Sequence, residues 1–277
     1  MLFKTFLKVF VCFRNMRKKL VLSKKLELIK NEVLNHEEIN KLWEYSNVVT
    51  VKRMAYSDHG KTHAEIVCER SLELYSFFEN KLKEYPSIVD FGLGYEEGQV
   101  VVMLSSLFHD IGNSVNREEH PLFSVLLAGK YVDEILENHY DKKTVLALKT
   151  QIFDAIYVHE KKFAYSLESS VLKIGDALDM EKERARISSL FGSISIHTFS
   201  ALAIDKVEIE QNEEKIHINV YTQHTAGIFQ VEEHLIPRIK NTIIQGLFDI
   251  KVILPDREFL IDINSKPFSN LRKKSII

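Results

Sequence analysis

Val100-Val-Val-Met-Leu-Ser-Ser-Leu-Phe-His-Asp-Ile-Gly112 is an apolar run that closes on two adjacent, strongly ligating side chains, His109 and Asp110. It predicts a helix from about Glu96 to His109 that is apolar almost all round, and such a helix belongs at the centre of a core. Burying a carboxylate at its exit is costly unless a partner answers the charge. A metal centre built into the core supplies that answer.

Helical periodicity extends on both sides of this run. Residues 20–54 read as one or two amphipathic helices through Leu26, Ile29, Val33, Ile39, Leu42 and Trp43, and residues 60–84 as a stronger one through His63, Val67, Leu72, Phe77 and Phe78. Residues 85–96, with Pro86, Gly92 and Gly94, read as a loop. Further helices are expected at about 119–138, 142–160 and 167–190. After Gly192 the period changes to alternation, at Ala203, Val207 and Ile209 and again at Ile216, Ile218 and Val220, with Asn212-Glu213-Glu214 as the turn. A helix over 227–246 and short strands at about 250–254 and 258–263 complete a small ββαββ unit. The tail from Asn270 is expected to fray. The fold class is therefore mainly α, a helical bundle with a small C-terminal α+β unit. The expected division is a helical extension over 1–54, a site-bearing domain over 55–190 and an accessory unit over 195–265.

Composition narrows the function classes. The 37 Lys and Arg against 39 Asp and Glu give a net charge of -2 in 277 residues, so no global basic field argues for wrapping nucleic acid. Two cysteines, Cys12 and Cys68, form no disulfide or structural-zinc spacing and suit a reducing, cytoplasmic compartment. The first 13 residues are apolar but interrupted by Lys4 and Lys8, short of the about 20 apolar residues that span a bilayer. Arg14, Arg17, Lys18 and Lys19 leave an interfacial contact as the weaker reading, and Met16 is an alternative start.

Polar ligands interrupt or terminate several of the apolar elements. His63 lies near the start of one helix, His109 and Asp110 end the buried one, and His120 starts the next, ahead of Pro121. His159 ends the helix 142–160, and Asp176 lies inside Val171-Leu-Lys-Ile-Gly-Asp-Ala-Leu178. Four histidines and two carboxylates suffice for two divalent ions with an oxygen bridge. Histidine richness favours Mn²⁺, Fe²⁺, Co²⁺, Ni²⁺ or Zn²⁺ over Mg²⁺. His197, His217, His224 and His234 lack comparable carboxylate spacing and read as structural; His59, before Gly60, competes with His63 from a loop.

The order His63, His109-Asp110, Asp176 resembles the HD superfamily of metal-dependent phosphohydrolases. His63-Ala-Glu-Ile-Val67 is similar to its first motif, His109-Asp110-Ile111-Gly112 to the motif that gives the name, and Gly175-Asp176-Ala-Leu-Asp179 to the last. The resemblance covers roughly residues 55–185. It implies an HD-type bundle in which His63, His109, Asp110 and Asp176 hold a first ion. His120-Pro121 and His159-Glu160 are similar to the added motifs of the two-metal branch, in which Asp110 would bridge the ions. The chain departs from the cyclic-dinucleotide members at Val158, where some carry a second adjacent histidine, and in lacking Gly-Tyr-Pro after Glu160. Asn116-Arg-Glu-Glu-His120, the stretch Asp179–Arg186 and the C-terminal unit are similar to a group of uncharacterised archaeal and bacterial HD proteins.

The expected activity is hydrolysis of a phosphate ester, mono- or diester and plausibly a nucleotide, by a metal-activated hydroxide. Asp110 is the expected catalytic carboxylate, and Arg117 and Lys61 are the expected phosphate contacts. Lys173 and Arg184 are weaker candidates for the same role, and Asp58 is a candidate for orienting a ligand imidazole. The competing reading is a metal-stabilised nucleotide sensor or interaction module without turnover; a di-iron oxygenase is a third. The partner is a small phosphorylated molecule, with homo-oligomer formation left open.

Overall fold

A computed structural model describes residues 22–182, 196–263 and 271–273. Its first two helices, α1 (Lys24–Asn35) and α2 (Glu37–Asn47), turn Leu26, Ile29, Val33, Ile39 and Trp43 into the same core that holds the central helix. Ser23 caps α1, its hydroxyl accepting from the Leu26 N–H. A π-helical turn, Val48–Arg53, extends α2.

Around the centre stand α3 (Lys61–Tyr75), α4 (Tyr95–Phe108), α5 (His120–Leu136), α6 (Lys142–Val158) and α7 (Leu167–Ala177). In α4 every residue from Gly98 to Phe108 is buried, as expected of a helix that is apolar on all faces. The expected helix over 60–84 stops at Tyr75 and continues as short 3-10 turns at Ser76–Phe78 and Leu82–Glu84. The expected helix 167–190 ends at Ala177, where the Leu178 N–H reaches the carbonyls of Ile174 and Gly175 and the chain turns. Residues 183–195 lie outside the described residues.

The C-terminal unit begins with α8 (Ile196–Leu202) and builds a five-stranded sheet in chain order: β1 (Ile204–Gln211), β2 (Ile216–Thr222), β3 (Phe248–Ile253), β4 (Glu258–Ile261) and β5 (Leu271–Lys273). Neighbours are antiparallel except β2 and β3, whose parallel pairing sets Ile218 opposite Ile250 and Val220 opposite Val252. A parallel pair needs a crossover rather than a hairpin. Here it is helical, with α9 (Ala226–Gln230), a π turn at Val231–Leu235 and α10 (Ile236–Lys240). The expected helix to 246 therefore ends early, and Thr242 forms a bridge with Ala164 instead. The tail is not simply frayed: β5 pairs along the open edge of β4. The sheet's buried face is continuous with the helical core. No helix among the described residues is long and apolar enough to cross a membrane.

Candidate metal centre

Each ligating candidate sits at or near a helix end, and those ends meet. His63 is in the first turn of α3, His109 follows the last residue of α4, His120 opens α5, His159 follows α6, and Asp176 is next to the end of α7. Asp110 comes directly after His109 and precedes a 3-10 turn at Ile111–Ser114. Helix ends leave backbone groups without intrahelical partners, and here the terminal carbonyls of α4 are answered from neighbouring elements. Trp43 Nε1 donates to Leu107 O at 3.0 Å, Ser124 Oγ to His109 O at 2.6 Å, and Ser46 Oγ lies 3.3 Å from both Asp110 O and Ile111 O.

Two glycines set how closely these ends approach. A Cβ on Gly112 would lie 2.2 Å from His120 O and 2.4 Å from Ser124 N, both backbone atoms of α5. A Cβ on Gly175 would lie 2.0 Å from Ser71 Oγ, so α7 approaches α3 closely enough to carry Asp176 to His63.

The hydrogen bonds of the imidazoles fix what they present to the centre. His109 Nδ1 lies 2.8 Å from Ser106 O and His159 Nδ1 2.6 Å from Ile156 O; a carbonyl only accepts, so each Nδ1 carries the proton. His63 Nδ1 likewise faces Asp179 Oδ2 at 2.6 Å, whereas His120 Nδ1 lies between Arg117 O at 2.8 Å and the Arg117 guanidinium at 2.9 Å. In the neutral rings of His63, His109 and His159, the Nε2 lone pairs then point inward. Nε2 of His63 and of His109 are 3.2 Å apart, as are Nε2 of His120 and of His159. Asp176 Oδ1 is 3.3 Å from His63 Nε2 and 3.7 Å from His109 Nε2.

Asp110 lies between the two histidine pairs. Its Oδ2 is 3.3 Å from His63 Nε2 and 3.4 Å from His109 Nε2, while its Oδ1 is 3.1 Å from His120 Nε2. Acceptors gathered this closely repel one another unless a cation or shared protons stand among them. Three overlapping groups have ligand atoms close enough to hold an ion: His63, His109 and Asp176; His109, Asp110 and His159; and His120, His159 and Glu160. The donor set therefore fits divalent metal.

The electrostatics agree with buried, charged carboxylates. Burial opposes ionisation of Asp110, but His109, His120, His59 and His63 together hold its carboxyl well below the ordinary range. Burial also opposes ionisation of Asp176, which His109, His63 and Arg238 overcome. Burial, with His109 and His120 nearby, keeps His159 neutral. For His120 burial acts downward, yet Asp110 and Glu160 bring the net shift upward.

The six expected ligands thus converge, and Arg117 lies at their rim. Its Nη2 is 3.3 Å from Glu160 Oε1, and its Nη1 is 3.3 Å from Asn113 Oδ1 and 2.9 Å from His120 Nδ1. Lys61 requires a correction: its ammonium donates to Leu34 O and Asn40 Oδ1, both at 3.0 Å, because the start of α3 abuts the turn between α1 and α2. Asp58 does not orient His63 but accepts from Asn47 Nδ2 and the Gly60 N–H, closing its own loop. Lys173 is buried and donates to the carbonyls of Val158, His159 and Lys161 at the end of α6; burial, then Arg238, pushes it down to about 8. Arg184 lies outside the described residues. His59 is buried with its ring 5.6 Å from that of His63, and His217 lies on β2, 3.6 Å from Asp249.

Three residues join the centre that sequence reasoning did not assign. Asp179 orients His63, Glu160 joins a donor group, and Arg238 reaches it from α10, donating to His159 O. Asp179 and Glu160 stand inside the quoted motifs, where their roles were not assigned. Arg238 carried no local signal.

No family model matches the chain, and no solved structure matches it. It is similar to the uncharacterized protein MJ1020 of Methanocaldococcus jannaschii, 36% identical over 216 residues that cover 77% of this chain and 83% of the archaeal one. The chain belongs to the family of that archaeal protein.

Proposed function

We propose that this chain is a metal-dependent phosphohydrolase of the HD superfamily, acting on a phosphate ester. The observation that supports this most is Asp110, whose two carboxylate oxygens face different histidine pairs. A divalent ion held by these residues would supply activation of a water and charge withdrawal from phosphorus. His63, His109 and Asp176 would hold one ion, His120 and His159 a second, and Asp110 would be common to both. The histidines of Mn²⁺, Fe²⁺, Co²⁺, Ni²⁺ and Zn²⁺ sites match this donor set better than the oxygen-rich sites of Mg²⁺.

The chain's own residues supply orientation and charge. Backbone carbonyls hold His109 and His159, and Asp179 holds His63, in the tautomer that turns Nε2 inward. Arg117 offers a planar fork to a non-bridging phosphate oxygen. No serine or cysteine nucleophile is required by this scheme.

Full-length protein loaded separately with Mn²⁺, Co²⁺, Ni²⁺ and Mg²⁺ is expected to hydrolyse a member of a broad phosphate-ester panel. Asp110→Ala should abolish that turnover with unchanged far-ultraviolet circular dichroism. Full turnover in the variant contradicts the proposal. Tight nucleotide binding without hydrolysis under every metal would favour a sensor instead.

A further inference from the structure

Arg238 belongs to the C-terminal unit, yet its guanidinium lies at the metal centre. Nη1 donates to His159 O, while Nη2 is 3.7 Å from Glu160 Oε1 and 4.0 Å from Asp176 Oδ2. Arg117 reaches the same Glu160 oxygen at 3.3 Å. Two guanidiniums therefore share one carboxylate, and all three side chains are partly open to solvent.

We propose that Arg238 and Arg117 form a two-armed clamp for a phosphoryl group carrying a dianionic charge, so that the C-terminal unit completes the active site. This rests on the metal-dependent reading above. Glu160 also stands in the donor group with His120 and His159. A carboxylate engaged there leaves Nη2 of both guanidiniums without their shared anion, while Nη1 stays with His159 O in Arg238 and with Asn113 Oδ1 in Arg117. Two guanidiniums whose Nη2 atoms meet at one oxygen match a phosphate with several free oxygens, and two positive charges favour a dianion over a monoanion. The substrate class is accordingly a phosphomonoester or terminal phosphate, rather than an internal diester.

The test titrates inorganic phosphate and dimethyl phosphate into full-length, Mn²⁺-loaded protein by calorimetry, with Mn²⁺ stoichiometry measured separately. Wild type should bind phosphate at least tenfold more tightly than the diester. Arg238→Ala should lose at least tenfold in phosphate affinity with unchanged Mn²⁺ stoichiometry, and Arg238→Lys should fall between. Equal phosphate affinity in wild type and Arg238→Ala overturns the clamp alone, as does equal binding of the diester by wild type. Loss of Mn²⁺ by both variants makes Arg238 a strut for His159 and also overturns it. A wild type that takes up no Mn²⁺ overturns the metal-dependent reading, and the clamp with it.

Discussion

His63 Nδ1 lies 2.6 Å from Asp179 Oδ2, a contact between two buried side chains 116 residues apart. It sets the ring's orientation and places the proton on the nitrogen away from the centre. Partners of this kind raise the basicity of a ligating imidazole, and their loss typically weakens metal binding about 10- to 100-fold. Asp179→Ala should show a loss of that size in a Mn²⁺ titration. Wild-type affinity in this variant would mean that His63 needs no such support.

Gly112 is where the turn after Asp110 meets the start of α5 with backbone on both sides. Gly112→Ala cannot be relieved by a rotamer change, so destabilisation of about 1–3 kcal/mol is expected from overpacking alone. Denaturant melts should register it, together with weaker Mn²⁺ binding. An unchanged midpoint contradicts the close approach.

Glu168 is buried in the first turn of α7 and accepts from Tyr75 Oη at 2.9 Å and Ile88 N at 3.1 Å through Oε1; Oε2 has no hydrogen-bond partner among the described residues. Burial raises its pKa above the ordinary 4.5 despite these hydrogen bonds. The folded state thus prefers the neutral acid. The associated stability is fully present below about pH 4.5 and is lost as pH rises through the raised folded value. Gln at this position keeps the Oε1 acceptor without the charge, so the Tm of Glu168→Gln minus that of wild type should grow from acid to mildly alkaline pH. A constant difference contradicts this.

Lys61 binds Leu34 O and Asn40 Oδ1 rather than the centre. Lys61→Ala should therefore cost about 1 kcal/mol of stability and leave Mn²⁺ affinity within about twofold, since no ligand contact is removed. A tenfold loss of metal affinity would restore it to the site.

The parts legible in sequence were those with a local signature. An unbroken apolar run marked α4 as central, and polar ligands ending apolar elements marked His109, His120 and His159. Alternation marked β1 and β2. The break after Ala177 was hidden because the apolar residues run on through Leu178 and Met180, although that break is what turns Asp179 back to His63. The pairing of β5 depends on an open edge of β4, which no periodicity in 270–275 reveals. Arg238 reaches His159 across 79 residues, and its position follows only from how α10 packs against α7.

Asp110, with one carboxylate oxygen toward each histidine pair, is expected to be shared between two ion positions. Counting Mn²⁺ per chain by calorimetry on metal-free protein tests it most directly. Two ions are expected in wild type, one in His120→Ala, and in Asp110→Ala a loss of affinity at both positions. Two tightly bound ions in Asp110→Ala would contradict the account.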